Sequence, residues 1–139
     1  MDFVVTFEEL QAMFDAKEID LSQYEAESSF HDATGAGRGY ACAGGVAEAI
    51  EKCINEYYPD VEVSIEHAEG LAECKKTLTL AKAGRLNGCL IEGMGCPGGC
   101  IAGAGTNIPV LKAKKDLAAY VKNSTTPIPP KELEEIELE

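Results

Sequence analysis

Residues 88–100 read Gly-Cys-Leu-Ile-Glu-Gly-Met-Gly-Cys-Pro-Gly-Gly-Cys and join an apolar run to a glycine-rich one. The apolar run, residues 88–92, is typical of a buried strand. It leads into a loop predicted over 93–106, where Cys96 and Cys100 lie on either side of Pro-Gly-Gly. Two thiolates on one tight loop favour half of an iron–sulfur site over structural zinc, and the glycines would let backbone N–H groups face inorganic sulfide. A strained turn with incidental cysteines is the alternative.

A second glycine-rich loop lies earlier in the chain. Residues 34–45 read Thr-Gly-Ala-Gly-Arg-Gly-Tyr-Ala-Cys-Ala-Gly-Gly, with five glycines, and run directly into an amphipathic segment. So many glycines indicate backbone that turns sharply or closely approaches another group. A phosphate-binding loop is disfavoured, because the spacing Gly-x-x-x-x-Gly-Lys-Ser/Thr is absent from the sequence.

The remaining pattern alternates strands and helices. Thr6 and Glu9 are spaced as a capping box that opens a first helix. Predicted strands cover residues 3–6, 61–66 and 88–92. The helix predicted after Thr6 would bury Leu10, Met13 and Phe14. Further helices are predicted over 46–57, over 110–122 and over 70–82, the last with Leu71, Leu78 and Ala81 on one face and Gly84 as the stop. This order predicts an α/β fold, a small layered and mostly parallel sheet flanked by helices. One lobe is expected over 1–123, followed by an acidic, proline-containing tail over 124–139.

The chain carries six cysteines and two histidines. Cys53, Cys74 and Cys89 fall at apolar positions and are interpreted as packing residues, because a free thiol behaves as a small hydrophobe. The role of Cys42 is left open, including a self-sufficient iron–sulfur or zinc site formed by Cys42, Cys89, Cys96 and Cys100. His31 is interpreted as a surface or loop residue, and His67, at a predicted strand end, is assigned no chemistry.

The net negative charge of the chain restricts the classes of partner that it can bind. A net charge of −12 over 139 residues opposes binding to nucleic acid and to anionic membranes. No apolar run reaches the roughly 18–20 residues that span a bilayer, and no basic and apolar leader opens the chain. A cytoplasmic protein with reduced thiols is therefore expected.

The two glycine-rich loops carry a family resemblance. The run Glu-Gly-Met-Gly-Cys-Pro-Gly-Gly-Cys-Ile-Ala-Gly-Ala-Gly, residues 92–105, resembles the third signature of the iron-only ([FeFe]) hydrogenases, a Met-x-Cys-Pro-Gly-Gly-Cys loop followed by glycines. Gly-Ala-Gly at 35–37, six residues, and Gly-Gly-Val-Ala-Glu-Ala at 44–49 match another motif of that family without a gap. The resemblance extends over roughly residues 3–122 and corresponds to the C-terminal half of the hydrogenase catalytic domain.

The resemblance implies a site. The family's H-cluster is a [4Fe–4S] cubane joined through one cysteine sulfur to a diiron subcluster, and it interconverts protons, electrons and H₂. Carried over by motif, Cys96 would ligate the cubane and Cys100 would be the bridging ligand. Met94 would pack against the diiron unit, and Tyr40 and Ala41 would line its pocket. Met94 and Cys100 are thus the implied catalytic residues, while Glu92 is interpreted as structural.

The chain also departs from the family pattern. The family's two other cubane cysteines, its proton-delivering cysteine and its cyanide-contacting lysine lie in motifs that are absent here. Cys42 and Ala43 stand where the family has Ala-Thr, and residues 102–107 read Ala-Gly-Ala-Gly-Thr-Asn instead of Asn-Gly-Gly-Gly-Gln-Pro. We expect a fragment that binds no H-cluster and shows no hydrogenase activity alone. A non-catalytic relative in iron–sulfur assembly, sensing or electron transfer is the alternative.

The same resemblance implies partners. The missing N-terminal half of the same protein would complete the site, and an electron carrier such as ferredoxin would exchange electrons with it. Because a separated lobe exposes the face that normally meets its partner, we expect a homo-oligomer.

Overall fold

The computed structural model describes residues 2–25 and 33–131. Predictions about His31 and about residues 132–139 of the tail therefore lie outside the described residues. In chain order, the helices and strands are α1 (Phe7–Ala16), α2 (Gly35–Arg38), α3 (Gly45–Tyr57), β1 (Ser64–Glu69), α4 (Leu71–Lys82), β2 (Cys89–Met94) and α5 (Val110–Lys122), with 3₁₀ turns at Leu21–Gln23, Gly39–Ala41 and Cys100–Ala102.

The two strands form a parallel sheet. Their register runs from Ser64 opposite Cys89 to Glu69 opposite Met94, and α4 supplies the crossover that a parallel pair requires. α3 contacts β2, and α4 contacts both strands. The predicted α/β class, a small parallel sheet flanked by helices, is confirmed.

The core consists of small side chains. In the part of the chain that the structure describes, the buried apolar residues are all alanines: Ala36, Ala47, Ala49, Ala68 and Ala113. Small residues let backbones approach closely. A Cβ placed on Gly45 would collide with the carbonyl oxygen of Gly39, so the first glycine-rich loop folds tightly onto the start of α3, as its composition predicts.

Several local predictions are confirmed. Thr6 and Glu9 form the reciprocal capping box of α1. The helices predicted over 46–57, 70–82 and 110–122 correspond to α3, α4 and α5. Gly84 follows α4 with a φ of +74°, a conformation that glycine adopts without strain.

The predicted strand over 3–6 is wrong. Phe3 and Val4 are 89% and 81% exposed, and the described strands pair only with each other. An apolar run forms a strand only beside a partner, and here Thr6 commits the chain to the cap of α1. The strand predicted over 61–66 is displaced to Ser64–Glu69, because Val61 N–H hydrogen-bonds to the Tyr58 carbonyl in a turn.

Two predicted helix faces are also wrong. Met13 is 57% exposed, and α1 has no buried residue. In α4, Leu71 and Leu78 are 78% and 63% exposed, whereas Thr77 is buried. The inner face of α4 is the one that carries Cys74, whose Sγ lies 3.6 Å from the Ala68 and Met94 carbonyl oxygens. Packing against the strands selects that face over the more apolar one.

The first residues of the tail are attached to the lobe. Gly35 and Ala36 N–H groups donate to the carbonyls of Thr126 and Pro127, each at 2.8 Å. The Tyr57 hydroxyl donates to the Pro129 carbonyl at 2.7 Å. The boundary at residue 123 remains a prediction. Within residues 2–25 and 33–131, no helix has the length and apolar character needed to cross a membrane.

Candidate functional site

The site lies at the carboxyl edge of the sheet. Both parallel strands end at the same edge, with β1 leading into Gly70 and β2 into the cysteine loop, residues 95–100. A Cβ on Gly70 would lie 3.5 Å from Pro97 Cγ, so Pro97 packs against the end of β1. Loops at this edge are where ligands of parallel sheets bind.

The two glycine-rich loops cross at Gly99. This residue has a φ of +86°, and a Cβ on it would lie 2.5 Å from Ala43 N and 2.6 Å from Ala41 O. The Ala43 N–H also donates to the Gly98 carbonyl at 3.2 Å. Only glycine permits this approach, which places Ala41 beside the segment that carries Cys100.

Cys100 opens into an apolar pocket. It is exposed, begins the last 3₁₀ turn, and lines a cavity of about 410 Å³. Residues from α1, both loops, the segment between the second loop and α5, and α5 itself complete the lining: Phe7, Ala41, Ile101, Thr106, Asn107, Ile108 and Ala113. Ala41 and Cys100 therefore line the same cavity.

The other predicted residues lie outside that lining. Cys96 is half-buried, and a Cβ on Gly103 would lie 3.7 Å from its Sγ. Met94 ends β2, and its carbonyl accepts from Gly70 N–H at 2.8 Å. Tyr40 is 48% exposed. None of these three residues lines the pocket.

Two of the three glycine N–H groups in the cysteine loop donate to partners within the chain. Gly98 N–H donates to Glu69 Oε2 at 2.7 Å, and Gly99 N–H donates to the Cys96 carbonyl at 3.0 Å. A strand-end carboxylate takes the first of these N–H groups and the loop's own turn takes the second, so neither is free to face inorganic sulfide.

A buried carboxylate supports the first loop. Glu92 is 8% exposed, and its oxygens accept from the N–H groups of Gly44, Val46 and Ala47 at 2.6, 2.9 and 3.2 Å. Because Gly44 offers no side chain, Glu92 serves as the cap of α3 from the neighbouring strand. The structural interpretation of Glu92 is consistent with these contacts.

The same carboxylate pairs with His67. His67 Nδ1–H donates to Glu92 Oε2 at 3.1 Å, across the register that sets these residues opposite each other. Burial raises the pKa of Glu92, but the hydrogen bonds from His67 and from the backbone of Ala47, Val46 and Gly44 outweigh it and lower the pKa below 4.5. His67 therefore has a structural role as a hydrogen-bond partner of Glu92, which its position in the sequence did not indicate.

The donors fit an iron–sulfur group as half of its ligand set. Cys96 and Cys100 offer two soft thiolates on one rigid loop. In residues 2–25 and 33–131, no three His, Cys, Asp or Glu side chains come together as a metal site. Cys89 begins β2, about 16 Å of strand from Met94, so the self-sufficient four-cysteine site is wrong for the described chain.

Comparison with known proteins places the chain in a family. A family model described as the C-terminal domain of the iron-only hydrogenase large subunit matches residues 1–104 of the 139. The match includes the first glycine-rich loop, the cysteine pair and the second loop as far as residue 104, and it stops short of α5. No curated protein matches the chain.

Proposed function

The chain belongs to the iron-only hydrogenase family, as the C-terminal domain of its large subunit, and on that basis we propose that it supplies two cysteine ligands to an H-cluster completed by another polypeptide segment. The observation that carries the proposal is the exposed Cys100 at an apolar pocket, four residues from Cys96 on a loop fixed by the Gly99 crossing. The remaining ligands would come from the N-terminal half of the same protein.

Each nearby residue has a defined part in this proposal. Cys96 would hold the [4Fe–4S] cubane, and Cys100 would hold the cubane and the diiron unit together. The bound cofactor would supply the electron transfer and the proton–hydrogen chemistry. Ala41 and the apolar lining would exclude water from the cavity. Met94 and Tyr40 do not line the cavity, and the family resemblance implies that they would pack against the bound cofactor.

The proposal extends to partners and location. An acidic chain fits a cytoplasmic protein that does not bind nucleic acid or membranes. Ferredoxin or a similar carrier would deliver electrons. Exposed apolar side chains near the N-terminus, Phe3, Val4, Val5 and Phe7, support self-association of the isolated chain.

An anaerobic reconstitution tests the ligand assignment. The chain is incubated with ferrous iron and sulfide, alone and with the N-terminal half of the parent domain, and iron and sulfide per chain are measured. We expect a stoichiometric cluster only when both halves are present. Cys96→Ala and Cys100→Ala should lose it, whereas Cys53→Ala, on α3, should retain it. A full cluster on the chain alone, or equal loading of all three variants, would refute the proposal.

The altered glycine run supports a second possibility within the same family. Residues 102–107 lack the family's Asn-Gly-Gly-Gly-Gln-Pro, which favours a non-catalytic relative that assembles clusters, senses or transfers electrons. Hydrogen evolution from reduced viologen by an assembly supplied with both the cubane and the diiron subcluster separates the two: turnover identifies an enzyme, and an assembly that holds both parts but is inactive identifies the non-catalytic relative.

A further inference from the structure

Glu69 ends β1 and reaches the middle of the cysteine loop. Its side chain is exposed, and Oε2 accepts from Gly98 N–H at 2.7 Å. Gly98 lies midway between Cys96 and Cys100 and has a φ of +88°. The position of this peptide therefore determines where the chain bends between the two thiols.

The Gly98 residue is held from both sides. Its N–H donates to Glu69, and its carbonyl accepts from Ala43 N–H at 3.2 Å. Pro97 packs against Gly70, the residue that follows Glu69. The end of β1 thus fixes one side of the bend, and the first glycine-rich loop fixes the other.

We propose that Glu69 is a positioning residue that holds the Cys96–Cys100 loop in its iron-binding geometry, an inference that rests on the proposed function. A hydrogen bond to an ionised acceptor is stronger than one between neutral groups. A two-ligand loop gains affinity when its shape is fixed before binding, since less conformational freedom is lost. The residue lies outside the core, so its removal changes the loop without unfolding the lobe.

Three variants of the intact chain test this assignment. Glu69→Ala removes the acceptor, and Glu69→Gln keeps an amide oxygen that can accept from Gly98. Glu62→Ala removes the same charge from an exposed residue before β1. In amide hydrogen exchange by NMR, Glu69→Ala should speed exchange at Gly98 roughly tenfold, the equivalent of one charge-assisted bond. Glu69→Gln should restore most of the protection, and Glu62→Ala should match the wild type. Unchanged Gly98 exchange in Glu69→Ala would overturn the inference.

Iron retention measures the consequence for binding. In the two-part assembly, we expect Glu69→Ala to lose iron to a chelator faster than the wild type, and Glu69→Gln to behave close to it. Cys100→Ala is included to separate the two proposals. If Cys100→Ala loads iron normally, the proposed function fails. If Cys100→Ala loses iron while Glu69→Ala retains it like the wild type, only the role of Glu69 fails.

Discussion

Replacing Glu92 should destabilise the lobe more than any exposed acidic substitution. The carboxylate is 8% exposed and accepts two short bonds, from Gly44 N–H at 2.6 Å and Val46 N–H at 2.9 Å. Hydrogen bonds to a charged acceptor contribute about 1.5–3 kcal/mol each. Water can reach part of the exposed helix start, so we expect Glu92→Ala to lower the free energy of unfolding by about 3 kcal/mol at pH 7.

The assay is urea unfolding followed by circular dichroism. Glu92→Gln keeps one acceptor oxygen but turns an amide NH₂ towards N–H donors, and should cost about 1–2 kcal/mol. Glu48→Ala is the matched control, because Glu48 lies in the first turn of the same helix and its exposed side chain pairs with Lys52. Glu48→Ala should lower the free energy of unfolding by less than about 1 kcal/mol. A loss for Glu92→Ala no greater than that for Glu48→Ala would refute the assignment of Glu92 as the cap of α3.

The pH dependence supplies an independent check. The folded pKa of Glu92 lies below 4.5, so its ionised form stabilises the folded state. That contribution is complete above pH 4.5 and is lost as the pH falls through the lower, folded value. Wild-type stability should therefore fall more steeply below pH 4.5 than that of Glu92→Gln. Equal slopes for the two proteins would show that Glu92 does not contribute through its charge.

Three further predictions test the loops and the first helix. Gly88→Ala should lower the free energy of unfolding by about 1–2 kcal/mol, because Gly88 has a φ of +79° and a Cβ there would meet nothing within 4 Å. Gly99→Ala must also displace the crossing loop and should lower it by about 1–3 kcal/mol more. Equal losses for the two variants in urea unfolding would contradict the crossing of the loops at Gly99. Thr6→Ala should lower the stability of α1 by about 1 kcal/mol. Circular dichroism should show a lower helical signal for Thr6→Ala and a restored signal for Thr6→Ser. An unchanged helical signal in Thr6→Ala would contradict the capping box. Iodoacetamide should alkylate the exposed Cys100 faster than the half-buried Cys96, as measured by mass spectrometry, and the reverse order would contradict the geometry of the loop.

The sequence predicted well those elements whose signals are local. α3 and α5 have amphipathic patterns, and the predicted bounds of 46–57 and 110–122 agree with the structure to within one residue. β2 covers the predicted apolar run from Cys89 onwards and continues through Gly93 to Met94. Each of these segments carries its own start and stop in its residues, so no knowledge of distant neighbours was needed.

Elements that depend on distant partners were predicted poorly. Residues 3–6 have the composition of a strand but pair with no described strand. The inner face of α4 is chosen by β1 and β2, and so it carries Thr77 instead of the more apolar Leu71 and Leu78. The short helix α2 arises because Thr34 caps a glycine-rich segment, a local signal that the glycine content obscured.

The residues of the candidate site also differ in how far the sequence alone could predict them. Cys96 and Cys100 could be identified as candidate ligands from their spacing, whereas Ala41, Tyr40 and Met94 were suggested only by the family resemblance. The contacts of Glu69 and His67 were missed. His67 faces Glu92 through the register of the two strands, which a single sequence does not reveal. The signal for Glu69 was its place at the carboxyl end of a strand, directly before a glycine.

Alkylation footprinting of the iron-loaded assembly tests most directly whether the two loop thiols are ligands. The chain and the N-terminal half of its parent domain are labelled with iodoacetamide before and after iron loading, and each cysteine is quantified by mass spectrometry. Loading should protect Cys96 and Cys100 together and leave Cys53 and Cys89 as reactive as before. Cys96 and Cys100 that remain as reactive in the loaded assembly as in the iron-free one would contradict their assignment as iron ligands.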